Sequence, residues 1–484
     1  MSLSGSLANA LSGLSAASRG AQVVSSNVAN ALTDGYGRRV LETSSATVAG
    51  AGAGVHVDGV RRDVDMVVIS DRRLSQAETG EAEVRSDALS RIEAALGTAD
   101  SADSISGRIA ALESALVAAA SRPDSETRLA DVLGAAEDVA TRIAGAADDI
   151  QAVRMESDRL IAQDVDTLND TLARIADLNS DIRRQVTSRN DASALMDQRQ
   201  VLVDQIAEIV PLRQMQRDNG MIALYTETGA TLLDGRPSVF GFEPSGVIVA
   251  EMTVESGALS GLTLNGQPVS VSGRYAQMGG GRLAALFEQR DSTAPEAQAS
   301  LDALARDLIE RFEAAGVDPS LASGEASLFT DGGAALDLTD PATEIGLSKR
   351  ISVNGLAADL WRLRSGLGAG ATAVPVGDST LLNAYADALT ASRVPASGPF
   401  TGQAFTAVDL ASETVSRVSV EAQRAAEQET FSAARTSALK EAELQNGVDT
   451  DAELQDLMLY EQAYAANAKV IKTVDEMIQT LLEM

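Results

Sequence analysis

The chain has no cysteine, which excludes disulfides, thiolate metal sites and thiol nucleophiles. It has one histidine, His56, so a Ser-His-Asp arrangement would have to rest on that residue alone. His56 stands in an alternating run, Val55-His56-Val57, and reads as a solvent-facing strand residue. Lysines number four, and no Gly-x-x-x-x-Gly-Lys-Ser/Thr phosphate loop occurs. No run of about 18 apolar residues occurs, so no membrane insertion is expected. Carboxylate pairs such as Asp148-Asp149 are plentiful, yet nothing singles out a general acid and base. No catalytic residue, metal ligand or cofactor is therefore expected, and the chain reads as no enzyme.

Aromatic residues make up 3% of the chain. Its cores must then be built from Ala, Leu, Val and Ile, which suits closely packed helices better than a large β-sandwich. Basic residues number 39 against 69 acidic ones, a formal charge of −30. Such a chain repels phosphate backbones, so no nucleic acid is expected as a partner. At 484 residues it exceeds the size at which single cores stop growing, and two or more domains are expected. The start, Met1-Ser2-Leu3-Ser4-Gly5, lacks the charged opening and apolar core of a signal peptide, which taken alone points to the cytoplasm.

What is present is periodicity, and it is clearest at the two ends. Leu3, Leu7, Ala10, Leu14, Ala17, Ala21, Val24, Val28 and Ala31 step by four and three, the spacing of an a/d seam. Asn27 and Asn30 lie on its flank, and Thr33-Asp34-Gly35 ends the helix in a turn. Leu457, Tyr460, Tyr464, Asn467, Ile471, Val474, Ile478 and Leu481 repeat the spacing after a turn at Asn446-Gly447. Asn467 is the polar residue of that seam, either an exposed edge position or a register-setting polar pair. An isolated helix of this kind is marginal until its apolar face is covered. The ends therefore pack on each other, pack on other copies, or join one globular core.

Between them, residues 66–122 read as helical with Gly80, Gly97 and Gly107 as interruptions. A long helical stretch follows from Ser125 to Val210, with a stripe from Ile161 through Leu168 and Ile175 to Val186, a break at Asn190-Asp191, and Pro211 as its end. From Leu212 to Tyr275, short β-prone runs such as Met221–Tyr225 and Gly246–Val249 are separated by Asn-Gly and Asp-Gly hairpin signals. Gly279-Gly280-Gly281 leads into a further helix over 282–315, residues 316–405 are mixed, and helix returns over 407–445. The expected fold is mainly α with an inserted β-rich part: an elongated helical bundle formed by both chain ends, with a smaller β-containing middle or outer domain.

Two segments carry a resemblance. Ser25-Ser26-Asn27-Val28-Ala29-Asn30-Ala31-Leu32-Thr33-Asp34-Gly35-Tyr36 is similar to the N-terminal signature of flagellar rod, hook and hook-associated proteins. Tyr460 through Ile471, with Asp475-Glu476-Met477, resembles their C-terminal signature. Leu195-Met196-Asp197-Gln198-Arg199-Gln200, Leu232-Leu233-Asp234-Gly235 and Gly280 to Phe287 resemble the hook-associated protein 1 branch of that family. Thr33-Asp34 before Gly35-Tyr36 departs from the usual Thr-Pro, and 340–405 matches only loosely.

The resemblance implies a structural subunit at the hook–filament junction. It would be secreted through the flagellar export apparatus without a cleaved signal peptide, and so be extracellular, which replaces the cytoplasmic reading. Implied partners are a ring of its own copies, hook protein, hook-associated protein 3, and an export chaperone on the C-terminal helix. The expected assembly surface comprises Leu3, Leu7, Leu14, Val24, Val28, Asn30, Gly35 and Tyr36 with Leu457, Tyr460, Tyr464, Asn467, Ile471, Val474, Ile478 and Leu481. The expected division is a terminal helical assembly domain (1–65 and 446–484, lining an inner tube), a helical bundle domain (66–215, 277–320 and 405–445), a β-rich element of that bundle (216–276), and a mixed outer domain (321–404). A flagellar hook or rod subunit is the alternative function, and an exported adhesin or enzyme a third.

Overall fold

The chain opens with helix α1 (Leu3–Ala29), which leads into an antiparallel ribbon of β1 (Arg38–Val48) and β2 (Ala51–Asp63). This is a computed structural model, and it describes residues 3–48, 51–98, 101–273, 275–314, 316–370, 374–400 and 402–483. Met1 and Ser2 of the expected leaderless start lie outside the described residues. The ribbon adds a β-hairpin to the terminal region expected to be a helical assembly domain, and it contains the Val55-His56-Val57 run read as a strand. Its alternating β-branched residues favour an extended chain, and His56 faces solvent opposite Ser44.

Helix α2 (Met66–Leu96) starts where Asp65 accepts from the amides of Val67 (2.9 Å) and Val68 (3.3 Å), a side-chain N-cap. Gly97 stops it, and α3 (Ile105–Ala120) follows. Gly80 and Gly107 do not interrupt their helices. At Gly80 a Cβ would fall 2.9 Å from the Glu208 carbonyl, so this glycine serves close packing.

The longest element is α4 (Glu126–Thr187), 62 residues and about 93 Å at 1.5 Å per residue. Its buried positions Leu129, Val132, Ala136, Val139, Ile143, Ala146, Ile150 and Val153 keep the three–four alternation, which resumes at Ile161 and runs to Ile182. A single stripe thereby crosses two cores. The first half of α4 packs with α3 and elements downstream. The second half packs with α5 (Ser193–Ile209) and the small sheets behind it.

Those sheets are β3 (Leu212–Gln216), β4 (Ile222–Thr226), β5 (Thr231–Asp234) and β6 (Arg236–Pro237) in sequential order, then β7 (Phe240–Gly241), β8 (Thr263–Leu264) and β9 (Gln267–Pro268). Gly246–Val249, read as a β-prone run, is irregular. The Val249 and Met252 carbonyls of that stretch instead accept from the buried Arg154 guanidinium at 3.1 and 2.7 Å.

Helix α6 (Gly281–Glu288) passes through a π-turn, Gln289–Thr293, into α7 (Ala294–Glu313). Region 321–404 holds β10 (Phe329–Asp331), α8 (Leu347–Arg350), β11 (Ile351–Val353), α9 (Arg362–Ser365) and α10 (Thr380–Thr390). It does not close a core of its own. Leu328, Phe329, Leu363, Leu382, Tyr385 and Phe400 join the same core as α3, α4 and α7. With three residues per strand, its sheet is too short to bury a face alone. Phe312 of α7 meets Phe329 and Tyr385 with ring centroids 5.3 Å apart in each case, so the few aromatics concentrate where this region docks.

Glu313 ends α7 half-buried, and its Oε1 has no hydrogen-bond partner among the described residues. Burial pushes its carboxyl up to about 7. The folded state thus favours the protonated acid. That contribution is fully present below the ordinary carboxyl range and is lost as pH rises through about 7. Glu313→Gln should raise stability at pH 8 by on the order of 1 kcal/mol, allowing for solvent screening, and change nothing at pH 4. Urea unfolding at the two pH values checks this, and an equal gain at both would contradict it.

Last come α11 (Ala407–Gln445), which pairs along α2, and α12 (Thr450–Leu482), which returns along α1. Helix-rich and elongated with an inserted β part, the architecture has the expected fold class.

Candidate assembly interface

Helices α1 and α12 run antiparallel in strict seven-residue register. Gly13 lies opposite Asn467, Gly20 opposite Tyr460, and Asn27 opposite Glu453. A Cβ on Gly20 would fall 2.3 Å from Tyr460 Cε1, and one on Gly13 2.8 Å from Asn467 Nδ2. The line of α1 that meets α12 is therefore Ala10, Gly13, Ala17, Gly20, Val24 and Asn27, six of its seam-spaced positions.

That line is rotated from the expected one. Leu14, Ala21 and Val28 are half-buried on its flank, Leu3 and Asn30 likewise, and Leu7 is exposed. Two large residues on α12 demand small ones opposite, and glycine, which an apolar count skips, supplies them. On α12, Val474 is buried, Leu457, Tyr460, Asn467 and Ile471 are half-buried, and Tyr464, Ile478 and Leu481 are exposed. The Asn467 Nδ2 donates to Ala463 O of its own helix at 2.9 Å.

A polar clasp ends the pair. Asn27 is fully buried and uses its whole hydrogen-bonding capacity. Its Nδ2 donates to Arg39 O and Glu453 Oε2, both at 2.9 Å. Its Oδ1 accepts from Arg39 N (3.0 Å) and from the Tyr36 hydroxyl (2.9 Å). Glu453, equally buried, accepts from Arg38 Nε at 2.7 Å, and that bond holds the Arg38 guanidinium above its ordinary pKa. Burial raises the Tyr36 hydroxyl as well. The clasp thus ties α1, β1 and α12 together.

The same unit hangs on the shaft through Asp197 of α5. Its carboxylate accepts from Gly37 N (3.0 Å), Arg62 Nε (2.7 Å) and Arg39 Nη2 (3.1 Å). Arg62 also donates to Gly35 O at 3.1 Å and to Gln200. Gly35 lies against Val201 of α5. Two segments singled out separately in the sequence, Ser25–Tyr36 and Leu195–Gln200, are brought together here. Sequence reasoning missed Arg38, Arg62 and Glu453, because a charge run carries no periodic signal. Asn27 and Asp197 stood inside the quoted segments without a role.

What α1 leaves uncovered on α12 is a second stripe. Leu459 (62% exposed), Val470 (43%) and Met477 (51%) face solvent, with Ala463 and Ala466 between them at three–four spacing. Beside it, Ala17, Ala21 and Ser25 of α1 floor an open groove walled by Tyr460 and Tyr464.

Residues 89–325 match the family model described as flagellar hook-associated protein FlgK helical domain. Residues 445–484 match that of the flagellar basal body rod FlgEFG protein C-terminal region. The chain resembles flagellar hook-associated protein 1 over its helical middle and the wider rod–hook proteins at its C-terminal end. It is 28% identical to flagellar hook-associated protein 1 of Salmonella typhimurium over 234 residues, 47% of this chain and 42% of the relative. It is 26% identical to the Escherichia coli protein of the same name over the same shares. The matched stretch thus spans less than half the length of these relatives. The solved flagellar hook junction protein FlgK of Burkholderia pseudomallei aligns at 18% identity with a TM-score of 0.42, over 55% of this chain and 47% of that one.

Proposed function

We propose that the protein is a structural subunit of the bacterial flagellum that forms the junction between hook and filament. The similarity to hook-associated and rod proteins supports this reading, and the observation that carries it is the unmatched apolar stripe on α12. Side chains such as Leu459 and Met477 standing in water are stabilised by burial at about 25 cal/mol per Å². The stripe repeats the spacing that already pairs α1 with α12, so another helix pair of the same kind covers it. Copies of the chain would then close a ring, with the Tyr460–Tyr464 groove receiving a neighbour's ridge.

On this reading the partners are its own copies, hook protein on one side and hook-associated protein 3 on the other. Before assembly the same stripe, within 457–482, would be masked by an export chaperone. The protein would act outside the cell, exported through the flagellar apparatus, with no catalytic role. The rod-type match of 445–484 favours a hook or rod subunit as a second reading, since the ends are shared across such proteins. Localisation separates the two. Labelled protein should form a band at the distal end of isolated hooks in electron micrographs, and its loss should leave hooks intact while flagellin spills into the medium. Label along the whole hook or in the rod would reject the junction.

Replacing Ile471 and Ile478 together by Asp should abolish incorporation, reducing labelled hook tips by about tenfold or more, while urea unfolding of the shaft stays within about 0.5 kcal/mol of the parent. Normal incorporation of that double variant would remove the terminal helix from the assembly surface.

A further inference from the structure

Arg199 is a buried guanidinium without a carboxylate partner among the described residues. Its hydrogen bonds leave from Nη1 alone, to Asn179 Oδ1 (2.8 Å) and Gly220 O (2.7 Å). Both acceptors are neutral, and Nε and Nη2 bond no described protein atom. Two more cations reach the same place. Arg62, at the end of β2, keeps Nη1 unused after bonding Asp197, Gly35 and Gln200. Arg73, in α2, keeps Nη2 unused after bonding Asp204 (2.6 Å) and Gln214 (2.8 Å).

All three arginines line one cavity of about 250 Å³ between β2, α2, α5 and β3. Gln200, Gln214 and Gln216 add amides, and no Asp or Glu lines it among the described residues. Burial, with repulsion from Arg62 and Arg73, lowers the Arg199 guanidinium to about 10. Asp197 pairs with Arg62 and with Arg39, Asp204 pairs with Arg73 and with Arg72, and Arg199 has no carboxylate among the described residues, so positive charge is left over. In a chain of net −30, that surplus is held inside a wall of donors.

We propose that this cavity is a binding site for a small free oxyanion, a phosphate or a carboxylate, gripped by the unused donors of Arg62, Arg73 and Arg199. Planar guanidinium forks match the oxygens of both groups, and charge-assisted bonds of this kind are the strong ones. Arg62 belongs to the terminal unit while Arg73 and Arg199 belong to the shaft, so a bound anion bridges the two. The surplus charge needs no neighbouring molecule, which makes the site testable on the isolated chain whether or not the junction reading holds.

Titration calorimetry of the full chain with inorganic phosphate, and separately with citrate, at constant ionic strength set by sodium chloride decides it. One saturable site is expected, weakened about tenfold or more by Arg199→Gln. Should that variant misfold through loss of its Asn179 and Gly220 contacts, Gln216→Glu keeps the shape and places a carboxylate at the exposed rim. It should weaken the added anion to the same degree. Stronger citrate than phosphate binding identifies a carboxylate site, and the reverse a phosphate site. Absence of saturable binding, equal binding by either variant, or light scattering that shows Arg199-dependent self-association in place of anion uptake would overturn the proposal.

Discussion

Arg290→Ala should cost the shaft about 3–5 kcal/mol, because it strands a buried carboxylate. Arg290 is fully buried in the π-turn between α6 and α7. Its Nη1 donates to Asp158 Oδ1 at 2.7 Å, its Nη2 to Ser260 O at 2.9 Å, and Nε and Nη2 reach Asp291 at 2.8 and 2.9 Å. The guanidinium also lies 5.0 Å from the Phe287 ring centroid and 5.4 Å from that of Phe242, two rings that meet edge to face, a cation–π contact in a dry site. Asp158 is 1% exposed and sits on α4 between Val153 and Ile161, where the apolar stripe passes from one core to the other. Removing its partner leaves Asp158 with the Ser245 amide at 2.6 Å as its remaining donor.

The double variant Arg290→Met with Asp158→Leu should recover more than half of that loss. A buried ion pair replaced by packed apolar groups is often neutral, although the Ser245 amide then stays unmet at about 1–3 kcal/mol. Urea unfolding of both variants measures it. A single-variant loss under about 1 kcal/mol, or a double variant no better than the single, would mean the node does not couple the two cores.

The helices of this chain were legible because they repeat. Leu168, Leu172 and Ile175 sit where their spacing puts them, fully buried on α4, and α11 covers 407–445 as read. Turns were legible from Asn-Gly and Asp-Gly pairs, as at Asn265, which takes the left-handed backbone of a β8–β9 hairpin. What periodicity could not show is contact between distant segments. Nothing near Asn27 in sequence announces Glu453, 426 positions away, as its partner. Nor does hydrophobic spacing announce that Gly13 and Gly20, not Leu14 and Ala21, face the other end. Of the ribbon of β1 and β2 only the Val55–Val57 alternation was legible, because the Thr, Ser, Gly and Ala residues around it bury little and give its face no apolar signature.

The clasp gives the second large expectation. Asn27→Ala should cost about 2–4 kcal/mol in the terminal unit and leave the shaft unchanged. The Arg39 amide and carbonyl each lose a partner, and Glu453 keeps Arg38 but loses Nδ2. Asn27→Asp should be at least as damaging despite equal size, since it turns a carboxylate oxygen toward the Glu453 carboxylate. Hydrogen exchange reads the two regions separately. Protection should fall over the first turns of α12, around Glu453 to Tyr460, and hold over Ile143 to Ile175 of α4. Without the clasp the pair has glycine-on-tyrosine packing to fix its register, and small residues specify a helix register weakly. The stripe of Leu459, Val470 and Met477 would then no longer point one way, so the variant should also fail to label hook tips while its shaft stays folded. Unchanged protection in both variants, with normal incorporation, would show that packing of Gly20 on Tyr460 suffices to hold the ends together.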